Sequence, residues 1–227
     1  MTETLANTDE RGPLGVRVLL VDDHDLFRTG LRNLLEEQGV EIAGEAADGA
    51  DAIKMTRELA PDVVVMDLNM PGMSGVEATR HVTTVAPLTR VVVLTISDQD
   101  GDVLDAILAG ACGYLMKDAS IEELLAGIRA AAIGESLISS HIAGKVLQRI
   151  RATSTQPEIE EQIRSELSDR EIEVLKLIAN GKDNAVIAAE LHISPKTVKN
   201  HISNILMKLQ IENRIQAAVY AVRSGIV

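Results

Sequence analysis

The chain has 227 residues, and its 34 Asp and Glu outnumber 22 Lys and Arg for a net charge of −12. That length suits one or two domains. A lone cysteine excludes an intramolecular disulfide and fits a cytoplasmic protein; no signal peptide and no apolar run of about 18 residues are present; and aromatic residues, at 1% with no Trp, are too few for single-strand binding by base stacking.

Residues 1–14 read as a disordered tail. From Val16 onward, apolar runs alternate with amphipathic segments. Val16–Val21 is the first strand and Asp25–Gln38 the first helix. Glu41–Ala46 is a short second strand, and Gly49–Leu59 a helix stopped by Pro61. Asp62–Met66 is the third strand, followed by a helix over Val76–Val85 that ends before Pro87. Val91–Leu94 is the fourth strand, with a helix at Val103–Ala109. Gly113–Met116 is the fifth, and Ile121–Ala132 its helix. Five strand–helix pairs predict an α/β fold, a five-stranded doubly wound parallel sheet. The strand runs are continuously apolar, as expected where both faces are covered.

Strand C-termini of such a sheet converge on one crevice. Asp22 and Asp23 follow the first strand, Asp67 the third and Lys117 the fifth, while Thr95 ends the fourth. Clustered carboxylates need a cation, and Mg²⁺ suits hard oxygen ligands. Beside a metal, Asp67 is a candidate nucleophile for a phosphoryl group. The plainer reading of Asp22 and Asp67 is helix capping, which gives no reason for Lys117.

Leu20-Val-Asp-Asp-His24, Met66-Asp-Leu-Asn-Met-Pro-Gly72, Leu94-Thr95 and Gly113-Tyr-Leu-Met-Lys-Asp118 resemble the receiver domain of bacterial two-component response regulators, a flavodoxin-like fold. The resemblance implies that Asp67 is the phospho-acceptor. It implies that Asp22, Asp23, Asp67 and the Asn69 carbonyl hold Mg²⁺. Lys117 would pair with a phosphoryl oxygen, Thr95 would turn in to the new phosphate, and Tyr114 would rotate with it. A Tyr in a strand is otherwise simply packing. The residue after the switch hydroxyl is small in many receivers, and here it is Ile96. Its bulk would crowd the path of water to the phosphoryl group and slow hydrolysis.

Residues 134–166 read as a linker carrying a helix near Ile138–Ile150 and a hinge at Ala152–Pro157. Beyond it the charge changes sign. Residues 168–227 hold 8 Lys and Arg against 6 Asp and Glu. Ser168 and Glu171 form a capping signature for a helix ending at Asn180-Gly181. A short helix at Asn184–Leu191 follows. Ser194-Pro195 then opens a helix to Lys208, and Arg214–Arg223 is the last. This succession is a DNA-binding geometry. On the Pro195–Lys208 wheel, Val198, Ile202, Ile205, Leu206 and Leu209 form the core stripe. Lys196, Thr197, Lys199, Asn200, Ser203, Asn204 and Lys208 lie outside it, with no acidic residue among them. Lysines suit phosphates and Asn pairs with adenine. A helical bundle with a solvated lysine face is the plainer alternative.

Leu167-Ser-Asp-Arg-Glu171, Thr197-Val-Lys-Asn-His201 and Asn213-Arg-Ile-Gln-Ala-Ala218 resemble the LuxR-type helix-turn-helix of the NarL/FixJ subfamily. By that resemblance Lys199, Asn200 and Ser203 sit where base contacts are made. The last helix would make a homodimer through Ala218, Val219 and Val222. The implied layout is a receiver at 15–133 and a DNA-binding domain at 167–227. The implied function is a transcriptional response regulator, not an enzyme. A sensor histidine kinase phosphorylates it, and it binds double-stranded promoter DNA. Two other readings compete. A haloacid-dehalogenase-type phosphatase would need a second acid where Asn69 stands. A phosphorylation-independent regulator would have no need of the intact acidic set.

Overall fold

The computed structural model describes residues 15–96, 100–138, 163 and 166–227. Its first part runs β1 (Arg17–Val21), α1 (Asp25–Glu37), β2 (Glu41–Ala46), α2 (Gly49–Leu59), β3 (Val63–Met66), α3 (Gly75–Val85), β4 (Arg90–Thr95), α4 (Asp100–Leu108), β5 (Gly113–Met116), α5 (Ile121–Ala132) and β6 (Leu137–Ile138). All strands pair in parallel, in the order β2-β1-β3-β4-β5-β6. The five predicted strand–helix pairs are present. Helix α4 starts earlier than predicted, at Asp100. β6 adds two residues to the β5 edge from within the predicted linker. The predicted tail, linker helix and hinge lie outside the described residues.

Strand residues alternate between two apolar layers. Val18, Leu20, Val65, Val92 and Leu94 pack on Leu35 of α1 and on Leu124, Leu125 and Ile128 of α5. Leu19, Val21, Val64, Met66 and Val91 pack on Ala52 of α2 and on Ala78 and Val82 of α3. Each buried Val, Leu, Ile or Met side chain contributes about 1.5–3 kcal/mol. Burial on both faces explains the unbroken apolar runs. Gly75 lets α3 start directly beneath β3: a Cβ there would collide with the Asp67 carbonyl.

The C-terminal part consists of α6 (Asp169–Ala179), α7 (Asn184–Leu191), α8 (Pro195–Lys208) and α9 (Arg214–Arg223). Their local signals act as read. Ser168 and Glu171 form a complete capping box, and the Ser194 hydroxyl accepts the Thr197 N–H at 3.0 Å. Val198, Ile202, Ile205 and Leu209 are buried, and Leu206 is half-buried. Glu171 does more than cap. Its carboxylate is 4% exposed and accepts Lys208 Nζ at 2.7 Å, tying the start of α6 to the end of α8.

The two parts meet at α4 and α9. Asn213 caps α9, its Oδ1 accepting the N–H groups of Ile215 and Gln216 at 3.0 Å each. The same side chain donates through Nδ2 to the carbonyls of Gly110 at 3.2 Å and Ala111 at 3.1 Å. Gln216 Nε2 donates to Ile107 O at 3.0 Å. Helix ends leave backbone groups without intrahelical partners, and one amide here serves two helices. A third apolar cluster runs without a break from Val93, Ile107 and Tyr114 into Val174, Ile178, Val198 and Val222.

Burial alone would raise the Glu171 carboxyl, but Lys208 and Ser168 hold it below the ordinary carboxylate range. A depressed folded-state value stabilises above the unfolded value, about 4.3, and that contribution disappears as pH falls through the folded value. Glu171→Gln is expected to cost about 1.5–3 kcal/mol at pH 7. Urea unfolding of wild type and variant should show this gap closing below about pH 4.

Candidate functional site

The sheet register builds the site. Val21 pairs with Met66, Met66 with Val93, and Thr95 with Met116. The residues that follow therefore emerge side by side. The backbone holds them there: Asp67 N–H donates to Val21 O at 2.9 Å, and Lys117 N–H to Thr95 O at 2.8 Å. Strand order reverses between β1 and β3, so this is the topological switch point where α/β sheets bind ligands.

Asp22 and Asp67 are buried, and Asp23 is half-buried. Lys117 Nζ lies 2.6 Å from Asp22 Oδ2 and 2.8 Å from Asp67 Oδ2. Burial pulls the Lys117 ammonium down, yet hydrogen bonds to Asp22 and Asp67 hold it above its ordinary value. The Phe27 ring covers another side of the ammonium, its centroid 4.7 Å away, within cation–π range. Asp67 Oδ1 accepts the Asn69 N–H at 3.3 Å. Asn69 Nδ2 donates to Thr95 Oγ1 at 3.3 Å. Thr95 is fully buried beside the acids, and Tyr114 is fully buried in the cluster that continues into the C-terminal helices. Ile96 is 70% exposed at the rim.

The residues fit a divalent cation. Ligand atoms of Asp22, Asp23, His24 and Asp67 all lie within 4.8 Å of one another. Asp23 Oδ1 is a buried atom that accepts no hydrogen bond. Anionic oxygens in that number match a hard dication. Asp22, Asp23, Asp67, Asn69, Thr95 and Lys117 thus meet at one crevice, while Tyr114 lies in the apolar cluster away from it.

Sequence reading left three contributors without a role. Phe27 is the ring over Lys117. Arg28 Nη1 donates to Asp22 O at 2.5 Å, and its guanidinium also meets Glu45 at 3.2 Å. His24 Nδ1 lies 2.8 Å from Asp23 Oδ1. All three sit at the N-cap or in the first turn of α1, so proximity to the acid pair was the available signal.

On α8, Lys196, Lys199, Asn200, Ser203 and Asn204 are exposed, and Thr197 is half-buried. Lys208 differs from the reading of it as a DNA contact: its ammonium is held by Glu171. Val219 and Val222, expected as dimer contacts, are buried in this chain's own core, because α9 packs along α6. Ala218 is half-buried. Lys199 and Ser203 line a cleft of 610 Å³ whose opposite wall is Arg90, Ile133, Gly134, Glu135 and Ser136 of the first part. Cys112 is buried, donates to Val91 O at 3.2 Å, and is pushed by desolvation to about 11, so it is an unreactive packing thiol.

Residues 18–129 match the family "Response regulator receiver domain", and residues 165–221 match "Bacterial regulatory proteins, luxR family". LiaR, a transcriptional regulatory protein of Bacillus subtilis, is 46% identical over 93% of this chain and 99% of its own length. The response regulator VraR of Staphylococcus aureus is 38% identical over 93% of this chain and 99% of its own. Among solved structures, the response regulator ChrA of a heme-sensing two-component system superposes with a TM-score of 0.51 at 35% identity, covering 93% of this chain and 98% of that one. A structure of RcsB dimers bound to DNA has a TM-score of 0.53 at 25% identity, covering 92% and 98%. The two matched families in this order, with relatives aligned over nearly their whole length, show that the chain belongs to the two-component response regulators that carry a LuxR-type DNA-binding domain.

Proposed function

We propose that Asp67 accepts a phosphoryl group from a sensor histidine kinase, and that this event frees α8 to bind double-stranded promoter DNA as a homodimer. The observation that carries the reading is Lys117 held between Asp22 and Asp67. Phosphoryl transfer needs positioning and charge neutralisation more than covalent help. In the transfer, an Asp67 carboxylate oxygen bonds to phosphorus while the bond from phosphorus to the kinase's histidine nitrogen breaks. Asp22, Asp23, Asp67 and the Asn69 carbonyl would hold Mg²⁺, which supplies neutralising charge on the phosphoryl oxygens. Lys117 would exchange its Asp67 contact for one of those oxygens. The phosphate adds about −1.5 to −2 charge and three strong acceptors. The Thr95 hydroxyl, buried and bonded to Asn69, would donate to one of them.

The resting geometry supports an occluded DNA face. Base contact needs α8 in a major groove about 12 Å wide. Lys199 and Ser203 instead face the receiver across a cleft of 610 Å³, too narrow for a duplex. The clasp is the pair of bonds from Asn213 to the end of α4. Tyr114 shares one apolar cluster with α4 and the C-terminal helices. A shift of Thr95 and Tyr114 would disturb the surface that holds α9. Opening would also expose the side of α9 that meets α4, where Gln216 now bonds Ile107, to a second copy.

Affinity for promoter DNA, measured with and without acetyl phosphate and Mg²⁺, tests the switch. Binding is expected to tighten about 5- to 150-fold, and Asp67→Asn should abolish the gain. Tight binding indifferent to phosphate would instead leave the receiver as a dimerisation module only. Asn213→Asp keeps the α9 cap but turns a carboxylate oxygen onto two carbonyls. It is expected to raise DNA affinity without phosphate, with thermal unfolding of the C-terminal part retained. Ile96→Ala should shorten the lifetime of the Asp67 phosphate, followed by loss of label. Equal lifetimes would remove Ile96 from the path of water.

A further inference from the structure

We propose that His24 is an additional ligand of the receiver's divalent cation, giving this acidic crevice a nitrogen donor and a preference for transition-metal dications over Mg²⁺. The inference rests on the reading of Asp22, Asp23 and Asp67 as a cation site and adds one residue to it.

His24 occupies the N-cap of α1, where a side chain ordinarily accepts a hydrogen bond from the first turn. Its imidazole makes no such bond. Its backbone N–H donates to Asp22 Oδ1 at 2.9 Å, which fixes the turn directly over the acid pair. From there the ring reaches back to the carboxylates. Nδ1 lies 2.8 Å from Asp23 Oδ1 and 3.4 Å from Asp22 Oδ1. Asp23 Oδ1 is buried and accepts no hydrogen bond even at that separation, so the imidazole is beside the oxygen without donating well to it.

These separations fit ligands of one ion as well as they fit a direct ion pair. Adjacent donors on an octahedral dication, each about 2.1 Å from the metal, stand about 3 Å apart. The two His24 distances straddle that edge length. All four residues offer donors within 4.8 Å of one another, so one ion reaches the whole set. His24 is also 67% exposed along its side chain, which places the nitrogen on the solvent side, where an ion enters. Carboxylate and carbonyl oxygens suit Mg²⁺ and Mn²⁺, whereas imidazole suits Zn²⁺, Cu²⁺, Fe²⁺ and Ni²⁺. One nitrogen among oxygens moves the preference of the site along that order.

The test uses the full chain without a polyhistidine tag, titrated with CoCl₂ and with MgCl₂ at one pH. Co²⁺ binding is read by its ligand-field absorption, and Mg²⁺ by competition. His24→Ala is expected to lower Co²⁺ affinity at least about tenfold more than it lowers Mg²⁺ affinity. Pulsed electron resonance of the Mn²⁺ complex should show a nitrogen coupling in wild type that His24→Ala removes. Binding by the other histidines is common to both proteins and cancels in the comparison. An unchanged Co²⁺/Mg²⁺ ratio without nitrogen coupling would make His24 an ion-pair partner of Asp23 only and overturn the proposal. Wild-type phosphorylation by acetyl phosphate with Mg²⁺ alone is measured alongside. Its absence would overturn the cation-assisted reading of the crevice itself, whereas its presence with an unchanged ratio overturns the ligand role alone.

Discussion

Three carboxylates at the mouth of a parallel sheet repel one another, and burial removes the water that would screen them. The Lys117 ammonium is what allows the arrangement to fold. It bridges Asp22 and Asp67 within 2.8 Å of each, and the Phe27 ring covers it from the side of α1. In the proposed transfer, a phosphoryl group arriving at Asp67 would meet a cation already in position, so little reorganisation would be needed. The structural ion pair and the site's chemistry are thus one feature.

From this crevice the architecture reads outward. β4 ends in Thr95 at the acids, and β5 carries Tyr114 in its middle. Both belong to strands that support α4, and the end of α4 receives Asn213 and Gln216 from the C-terminal helices. The contact combines hydrogen bonds at the end of α4 with an apolar cluster that continues through it into both parts. In the proposed switch, opening would break those bonds and part that cluster. The DNA-binding module meanwhile carries its own stiffener. Glu171 and Lys208 brace α8 against α6, so in the proposed release the two helices would move together.

Much of this was legible in the residues. The apolar runs set the strands, because burial on both faces demands them. Ser168 and Ser194 marked their helix starts, because capping is a local interaction. Asp22, Asp67, Thr95 and Lys117 announced the site through their places at strand ends. Less was legible where partners are distant in sequence. Lys208 looked like one more lysine of a DNA face until Glu171, 37 residues earlier, was found against it. Val219 and Val222 looked like a free apolar stripe, and packing on α6 makes them core. β6 is too short for any periodicity to reveal.

The sequence by itself determined the element order, the sheet's parallel sense, the acidic crevice and the family, because each follows from periodicity, capping or residue type at a strand end. Only the tertiary structure decided what each polar group is bonded to: that Asn213 serves two helices, that His24 leans on the acid pair, and that Lys199 and Ser203 face the receiver. The physical reason is directional. Apolar burial is insensitive to the identity of the neighbour and can be read from a pattern. A hydrogen bond or ion pair needs a particular partner at a particular distance, and the chain reveals that partner only once it has folded.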